Sequence, residues 1–338
     1  MNVLSVAYPL LTVGPDSAGG AEQILFLLDR GLVAAGHHSI TIAGKGSQIS
    51  GELIESAIPA GDITDKVRQD TQRAHMECIR RALRSYAIDL IHFHGLDFYC
   101  YLPEPAVPIL ATLHLPVSFY PPNIFEDANV ILNCVSQTQA NSVPSARRPP
   151  VVFNGVDTEQ FQDGAGEKSF LLVLTRICPE KGVHVALQVA HRLELRLVLA
   201  GPVHPFRDHQ IYFAERVQPL LDENRQYVGP VDLARKAALL AGARCVLIPS
   251  LVAETSSLVA MEAISSGTPV IAFRSGALPE VVEHGETGFI VDTEDQMVQA
   301  VQHTDEISPQ TCRSRAALRF DARRMVNDYV ELYETLLG

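Results

Sequence analysis

PSLVAETSSLVAMEAISSGTPVIAF, residues 249–273, decides the reading of the fold. Its first residues close the apolar run RCVLIPS (244–250). Its middle, 257–265, has helical character, and it ends in a second β-branched run, PVIAF (269–273). Strand, helix and strand in such close succession describe one step of a parallel α/β sheet. The same alternation runs almost from end to end. The strand candidates are NVLSVAY, SITIAG, DLIHFHG, VPILATLH, VILNCVS and PVVFNG, followed by SFLLVLTR, LRLVLAGP, RQYVGP, RCVLIPS, PVIAF and GFIVD. Most are near-continuous apolar runs without polar alternation, as expected of strands covered on both faces. Helical stretches lie between them at 20–35, 64–85, 181–192, 207–222, 232–241, 257–265, 277–284 and 294–303. Two such series predict an α/β chain of two Rossmann-like, doubly wound parallel-sheet domains. The break is expected in the polar, glycine-containing DTEQFQDGAGEKS (157–169), giving domains 1–156 and 157–321. The segment DARRMVNDYVELYETLLG reads as an amphipathic helix with Met325, Tyr329, Leu332 and Leu336 on one stripe.

Composition narrows the function. The 338 residues are 47% hydrophobic, enough for large cores, and the formal net charge of -12 argues against general nucleic-acid binding. Six scattered cysteines without CxxC spacing read as reduced thiols of a cytoplasmic protein. MNVLSVAYPLL lacks the cationic start of a signal peptide, and no apolar run reaches membrane-spanning length. The segment DKVRQDTQRAHMECIRRALRSY (65–86) carries Lys66, Arg68, Arg73, Arg80, Arg81 and Arg84. Such a basic helix suits peripheral contact with the inner face of a membrane, or an anionic acceptor. The interleaved Asp65, Asp70 and Glu77 equally suit a solvated face.

Open parallel sheets bind ligands beyond the carboxyl ends of their strands. With two sheets, the expected site is a cleft where those ends face each other, and the informative residues do follow strands. PLLTVGPDSAGGAEQ puts Gly19 and Gly20 at a helix start, where backbone N–H groups and the helix dipole favour an oxyanion; a glycine-lined tight turn is the plainer reading. Glu22 in the first helical turn is an ordinary dipole partner. DLIHFHG gives His92 and His94 one face by period two. Two histidines without a third ligand make a poor metal site, and His92 reads as structural. His114, at a strand end before a proline turn, is the better ligand-facing candidate. LTRICPEKG gathers Arg176, Lys181 and a helix start in one corner, a set that suits a diphosphate. Two solvated cations are the alternative. Glu254 and Glu262 have seven residues between them. A helix start near Ser257 leaves Glu254 in the loop and Glu262 on the helix, and eight residues at about 100° each leave little angular offset, so both can face the same cleft. A carboxylate among the small and apolar residues around Glu262 needs a partner, and sugar or ribose hydroxyls can donate to it.

At these residues the chain resembles the retaining GT-B glycosyltransferases of family 4. The quoted pieces are AGGAEQ, IHFHG, ATLH, FNGVD, LTRICPEKG, LAGP, AETSSLVAMEA and SGTPVIAFRSGALPEVVEHGETGFIVD. Glu254 and Glu262 match the family's signature glutamate pair. The resemblance implies transfer of a sugar from a nucleotide-diphosphate-sugar donor, with retention, to an unidentified glycan, lipid or small-molecule acceptor. It implies that Arg176 and Lys181 hold the diphosphate, Glu254 binds the transferred sugar, and Glu262 binds the ribose. Gly19 and Gly20 would serve the phosphate, and His114 would lie beside the donor sugar. The helix 322–338 would cross back to the first domain. Ser256 and Ser257 depart from the family's usual aromatic or small residue followed by glycine. With Leu258 they would still offer donor phosphate a helix start. No D-x-D occurs, so no metal or other cofactor is expected. A GT-B epimerase or hydrolase, a nicotinamide-dependent dehydrogenase and a non-catalytic sugar-nucleotide-binding protein are the competing readings. The dehydrogenase lacks its GxGxxG after the first strand.

Overall fold

A computed structural model describes residues 1–17, 19–59, 61, 63–144, 148–161 and 168–338. Among these, the strands are β1 (Asn2–Val6), β2 (His38–Gly44), β3 (Glu52–Ser56), β4 (Leu90–Phe93), β5 (Ile109–Leu113), β6 (Val130–Cys134), β7 (Phe170–Leu174), β8 (Leu197–Ala200), β9 (Arg225–Tyr227), β10 (Ala243–Ile248), β11 (Val270–Phe273) and β12 (Gly288–Val291). The α-helices are α1 (Gly20–Ala34), α2 (Asp65–Ser85), α3 (Gln137–Ser142), α4 (Val183–Arg192), α5 (Arg207–Tyr212), α6 (Leu233–Gly242), α7 (Leu258–Ser265), α8 (Leu278–Val281), α9 (Glu294–Gln302), α10 (Pro309–Arg319) and α11 (Ala322–Leu337). The chain divides into unit 1, Met1–Gly155 with Ala322–Gly338, and unit 2, Val156–Asp321. Their sheets run β3-β2-β1-β4-β5-β6 and β12-β11-β10-β7-β8-β9. Among the described residues every strand pairing is parallel. Read from its third strand, unit 2 repeats the winding of unit 1. The order reverses between β1 and β4 in one sheet and between β7 and β10 in the other, the points where such sheets bind ligands.

The apolar runs are continuous because both faces of each strand are covered. In β7, Leu171 and Val173 join a core with Val183 and Leu187 of α4 and Met297 of α9. Leu172 and Leu174, pointing the other way, join Leu240 of α6 and Ala260 and Ile264 of α7. Each fully buried leucine or valine contributes about 1.5–3 kcal/mol relative to exposure. In unit 1, α11 buries Met325, Val326, Tyr329 and Tyr333, whereas Leu332 and Leu336 of the expected stripe are half-buried. It fits closely against α1, where a Cβ on Gly31 would lie 2.3 Å from Val326 Cγ2.

Several elements differ from expectation. PVVFNG forms no strand; Val151 makes only a bridge to Cys134. The strand β3 was hidden by Glu52 and Glu55, which an edge strand tolerates. The expected helix 207–222 is α-helical only to Tyr212. It continues as a π turn over Phe213–Val217 and a 3-10 turn over Gln218–Leu220, which contains Pro219. Short α3 and strongly polar α10 buried too few residues to show a periodic stripe. Of the expected linker, 162–167 lie outside the described residues. Its start is a docked turn rather than a loose segment: Thr158 and Phe161 are buried, and Thr158 Oγ1 donates to Asp321 Oδ2 at 3.1 Å. On α2, Arg73 pairs with Asp70, and Arg80 and Arg84 pair with Glu77, as a solvated face would. Among the described residues, no helix is long and apolar enough to cross a membrane.

Candidate active site

The loops that follow β7 and β10 meet at the switch point of unit 2. Gly182 adopts φ 60, and a Cβ there would lie 2.1 Å from the Pro249 carbonyl oxygen. Leu251 N–H donates to the Glu180 carbonyl at 2.8 Å. Across the second loop, Gly276 adopts φ 55 and leaves no room for a Cβ beside the Glu254 backbone. Ala277 N–H donates to the Glu254 carbonyl at 2.7 Å. The backbones that carry Lys181 and Glu254 are thus fixed by their neighbours. Lys181 Nζ donates to Glu254 Oε1 at 2.5 Å, with side chains 20% and 13% exposed. Gly182→Ala is expected to cost about 1–3 kcal/mol from the left-handed backbone alone, with the Pro249 clash in addition. Chemical denaturation measures it, and an unchanged midpoint would contradict this account of the loop.

Arg176 is exposed just beyond β7. Burial raises the Glu180 carboxyl, but its backbone hydrogen bond, the Cys178 thiol, His209 and, least, Arg176 together bring it below the ordinary range.

The second glutamate has a different setting. Glu262 lies on α7 at 3% exposure. Its Oε1 accepts from Lys236 Nζ of α6 at 2.5 Å, while Oε2 is buried without a hydrogen-bond partner. Burial pushes its carboxyl above the ordinary range, and the Lys236 ammonium opposes that shift. Lys236 also lies 5.5 Å from the Phe161 ring centroid. As expected, the helix starts just after Ser257: α7 begins at Leu258, Glu254 lies in the preceding loop and Glu262 lies on the helix. Each glutamate has its own lysine. Ser257 caps α7, its Oγ accepting from Ala260 N–H at 3.3 Å. Ser256 Oγ is buried without a partner. Lys236 was missed in the sequence; its one signal is a pair of cations, Arg235 and Lys236, inside the otherwise apolar LARKAALLAG.

In unit 1, Gly19 is the N-cap of α1, with Gly20 its first residue. The space above Gly19 holds a carboxylate already: a Cβ there would lie 1.9 Å from Glu22 Oε2. Glu22 is 5% exposed, and burial raises its carboxyl pKa. Glu22 stands in the first turn of α1, as expected of a dipole partner, but buried and with its carboxylate folded back over Gly19. His92 is the structural histidine expected: Nδ1 bonds Tyr333 Oη at 2.7 Å and Nε2 bonds Thr112 Oγ1 at 2.8 Å. With Tyr329, which bonds Thr112 and Asn133, it ties α11 to β4, β5 and β6. His94 Nδ1 meets His114 Nε2 at 3.1 Å, the rings stacked. Burial lowers the His114 pKa to about 4, so the imidazole is neutral at physiological pH.

The family description "Glycosyltransferase Family 4" matches residues 18–160, and "Glycosyl transferases group 1" matches 156–319. The chain belongs to the GT-B glycosyltransferases of the family 4 type. It is 37% identical over 128 residues to the D-inositol 3-phosphate glycosyltransferase of Corynebacterium efficiens, covering 36% of this chain and 30% of that protein. The first curated relatives are matched over only 30–40% of their own length. Among solved structures, sucrose-phosphate synthase from Thermosynechococcus elongatus superposes with TM-score 0.83 at 21% identity, over 99% of both chains. Anabaena Alr3699/HepE in complex with UDP-glucose gives TM-score 0.75 at 16% identity, over 99% of this chain and 100% of that one. These likenesses show the shared fold of this GT-B family member.

Proposed function

We propose that the protein is a retaining glycosyltransferase that moves a sugar from a nucleotide-diphosphate-sugar donor to an acceptor hydroxyl without a metal. One observation carries the reading: Glu262 is buried with one oxygen on Lys236 and the other unpaired, in the unit whose switch point bears Lys181 and Glu254. A half-satisfied buried carboxylate is costly, and a ribose hydroxyl donating to Oε2 offsets that cost. Lys181 and Arg176 would take the diphosphate, and Glu254 the hydroxyls of the transferred sugar. Ser256 Oγ and the N–H groups that open α7 at Ser257 and Leu258 would add phosphate contacts. Roles for Gly19, Gly20 and His114 belong to the same proposal. The UDP-glucose complex of a protein with the same fold supports a sugar nucleotide as ligand class.

In the proposed step the anomeric carbon–phosphate oxygen bond breaks as the acceptor oxygen bonds the same face of the sugar. The acceptor proton passes to the departing phosphate oxygen. Lys181 and Arg176 stabilise charge growing on that leaving group, the place where electrostatic catalysis has most effect. A sugar-nucleotide substrate and six free cysteines suit a reducing, cytoplasmic setting.

A thermal-shift panel with UDP, GDP, ADP and dTDP tests the reading. One nucleotide at 100 times its Kd should stabilise the protein by about 2.7 kcal/mol, and Glu262→Gln should remove most of that shift. No shift with any of them would count decisively against the reading. Binding without turnover over an acceptor panel would favour a sugar-nucleotide-binding protein.

A further inference from the structure

The loop between Arg176 and Lys181 carries a second chemistry that sugar transfer does not use. Cys178 and Glu180 lie in this loop, and His209 lies in α5. One ligand atom from each, a sulfur, a carboxylate oxygen and a ring nitrogen, falls within 4.8 Å of the other two. Among the described residues, no other group of three His, Cys, Asp or Glu side chains is so placed. Cys178 is fully buried, and its thiol donates to the Arg176 carbonyl at 3.8 Å. His209 is 9% exposed, and its Nδ1 is buried with no hydrogen-bond partner. Buried polar atoms are rarely left unpaired, and those that are call for an explanation.

The chemistry of the set names a class of ligand. Zinc takes sulfur, nitrogen and oxygen together at about 2.0–2.3 Å in a tetrahedral shell, which puts ligand atoms roughly 3.5 Å apart by the same geometry. Side-chain rotation of about an ångström from the observed spacing reaches that shell. A thiolate and an imidazole select zinc, cobalt or copper over magnesium and calcium. Such a site therefore differs in kind from a magnesium bridging a diphosphate. We propose that Cys178, Glu180 and His209 bind one zinc-class divalent ion that ties the loop bearing Arg176 and Lys181 to α5. On binding, the Cys178 S–H proton leaves to solvent and a sulfur–metal bond forms. Thiolate and carboxylate then neutralise the dication, and water takes the fourth position. The ion restrains the two cations through their own loop, and its binding does not depend on sugar transfer.

Cobalt titration of the chelator-stripped full-length protein tests this directly. One equivalent should give a near-ultraviolet sulfur-to-cobalt charge-transfer band, which zinc abolishes and a hundredfold excess of magnesium leaves unchanged. Cys178→Ser should remove the band. His209→Gln should weaken binding about tenfold or more. Cys100→Ser, at an exposed cysteine, should keep the band in full. Circular dichroism checks that each variant is folded. Absence of the band in the unaltered protein would overturn the proposal without any variant, as would a band that survives Cys178→Ser. Either result would leave a thiol bonded to the Arg176 carbonyl beside a packing histidine.

Discussion

Lys181→Ala is expected to lower kcat for sugar transfer by about 10²–10³-fold, the loss seen when one preorganised electrostatic donor is removed. The residue cannot drift to a substitute position. Gly182 locks the loop beneath the Pro249 carbonyl, and the Leu251–Glu180 backbone bond stitches it to the neighbouring loop. If Lys181 acts on charge that develops only as the diphosphate leaves, kcat and kcat/KM should fall together; a rise in KM alone would mean ground-state binding. Lys181→Arg should recover only part of the rate, because a planar fork does not reproduce a compact ammonium. The variant also strips Glu254 of its cation, so the thermal midpoint is measured beside the rate. Steady-state kinetics with the donor identified by the nucleotide panel decide the matter. An unchanged kcat would remove Lys181 from the chemistry.

The sequence was most legible where one face of physics dominated. The runs of β7 and β10 showed as uninterrupted apolar strings because helices cover both their faces. Lys181 and Glu254 were visible because both follow strands of the parallel sheet, and its winding brings those two loops to the switch point. Illegible features depended on partners distant in sequence. β3 carries Glu52 and Glu55 because an edge strand need not be apolar. Lys236 looked like an ordinary cation on a helix, and only the packing of α6 against α7 gives it a buried partner. His94 and His114 met because β4 and β5 are neighbours, a pairing no single-strand periodicity contains. Glu22 was plain in the sequence, but that its carboxylate would fold back over Gly19 was not.

Lys236→Met should destabilise the fold by about 3–5 kcal/mol near neutral pH, the cost of leaving one member of a buried ion pair alone. The Glu262 side chain is 4% exposed and that of Lys236 15%, so water does little to screen the loss. The pH dependence has a definite sign. Burial already raises the folded-state pKa of Glu262, and Lys236 is what holds it down. Without the lysine that pKa climbs further above its unfolded value. A group with a raised folded pKa keeps its stabilising contribution below the unfolded pKa and loses it as pH rises through the folded one. The deficit of Lys236→Met should therefore be small in the acidic carboxylate range and grow steadily above it. Replacing both residues, Lys236→Met with Glu262→Met, should restore stability at all pH values, since apolar groups of similar volume often match or exceed a buried pair. The same double variant should lose nucleotide binding, because the unpaired Oε2 is gone. Chemical denaturation across pH, with a nucleotide shift on each protein, separates the two effects. A pH-independent deficit, or a double variant that still binds nucleotide, would mean that Lys236 and Glu262 serve packing alone.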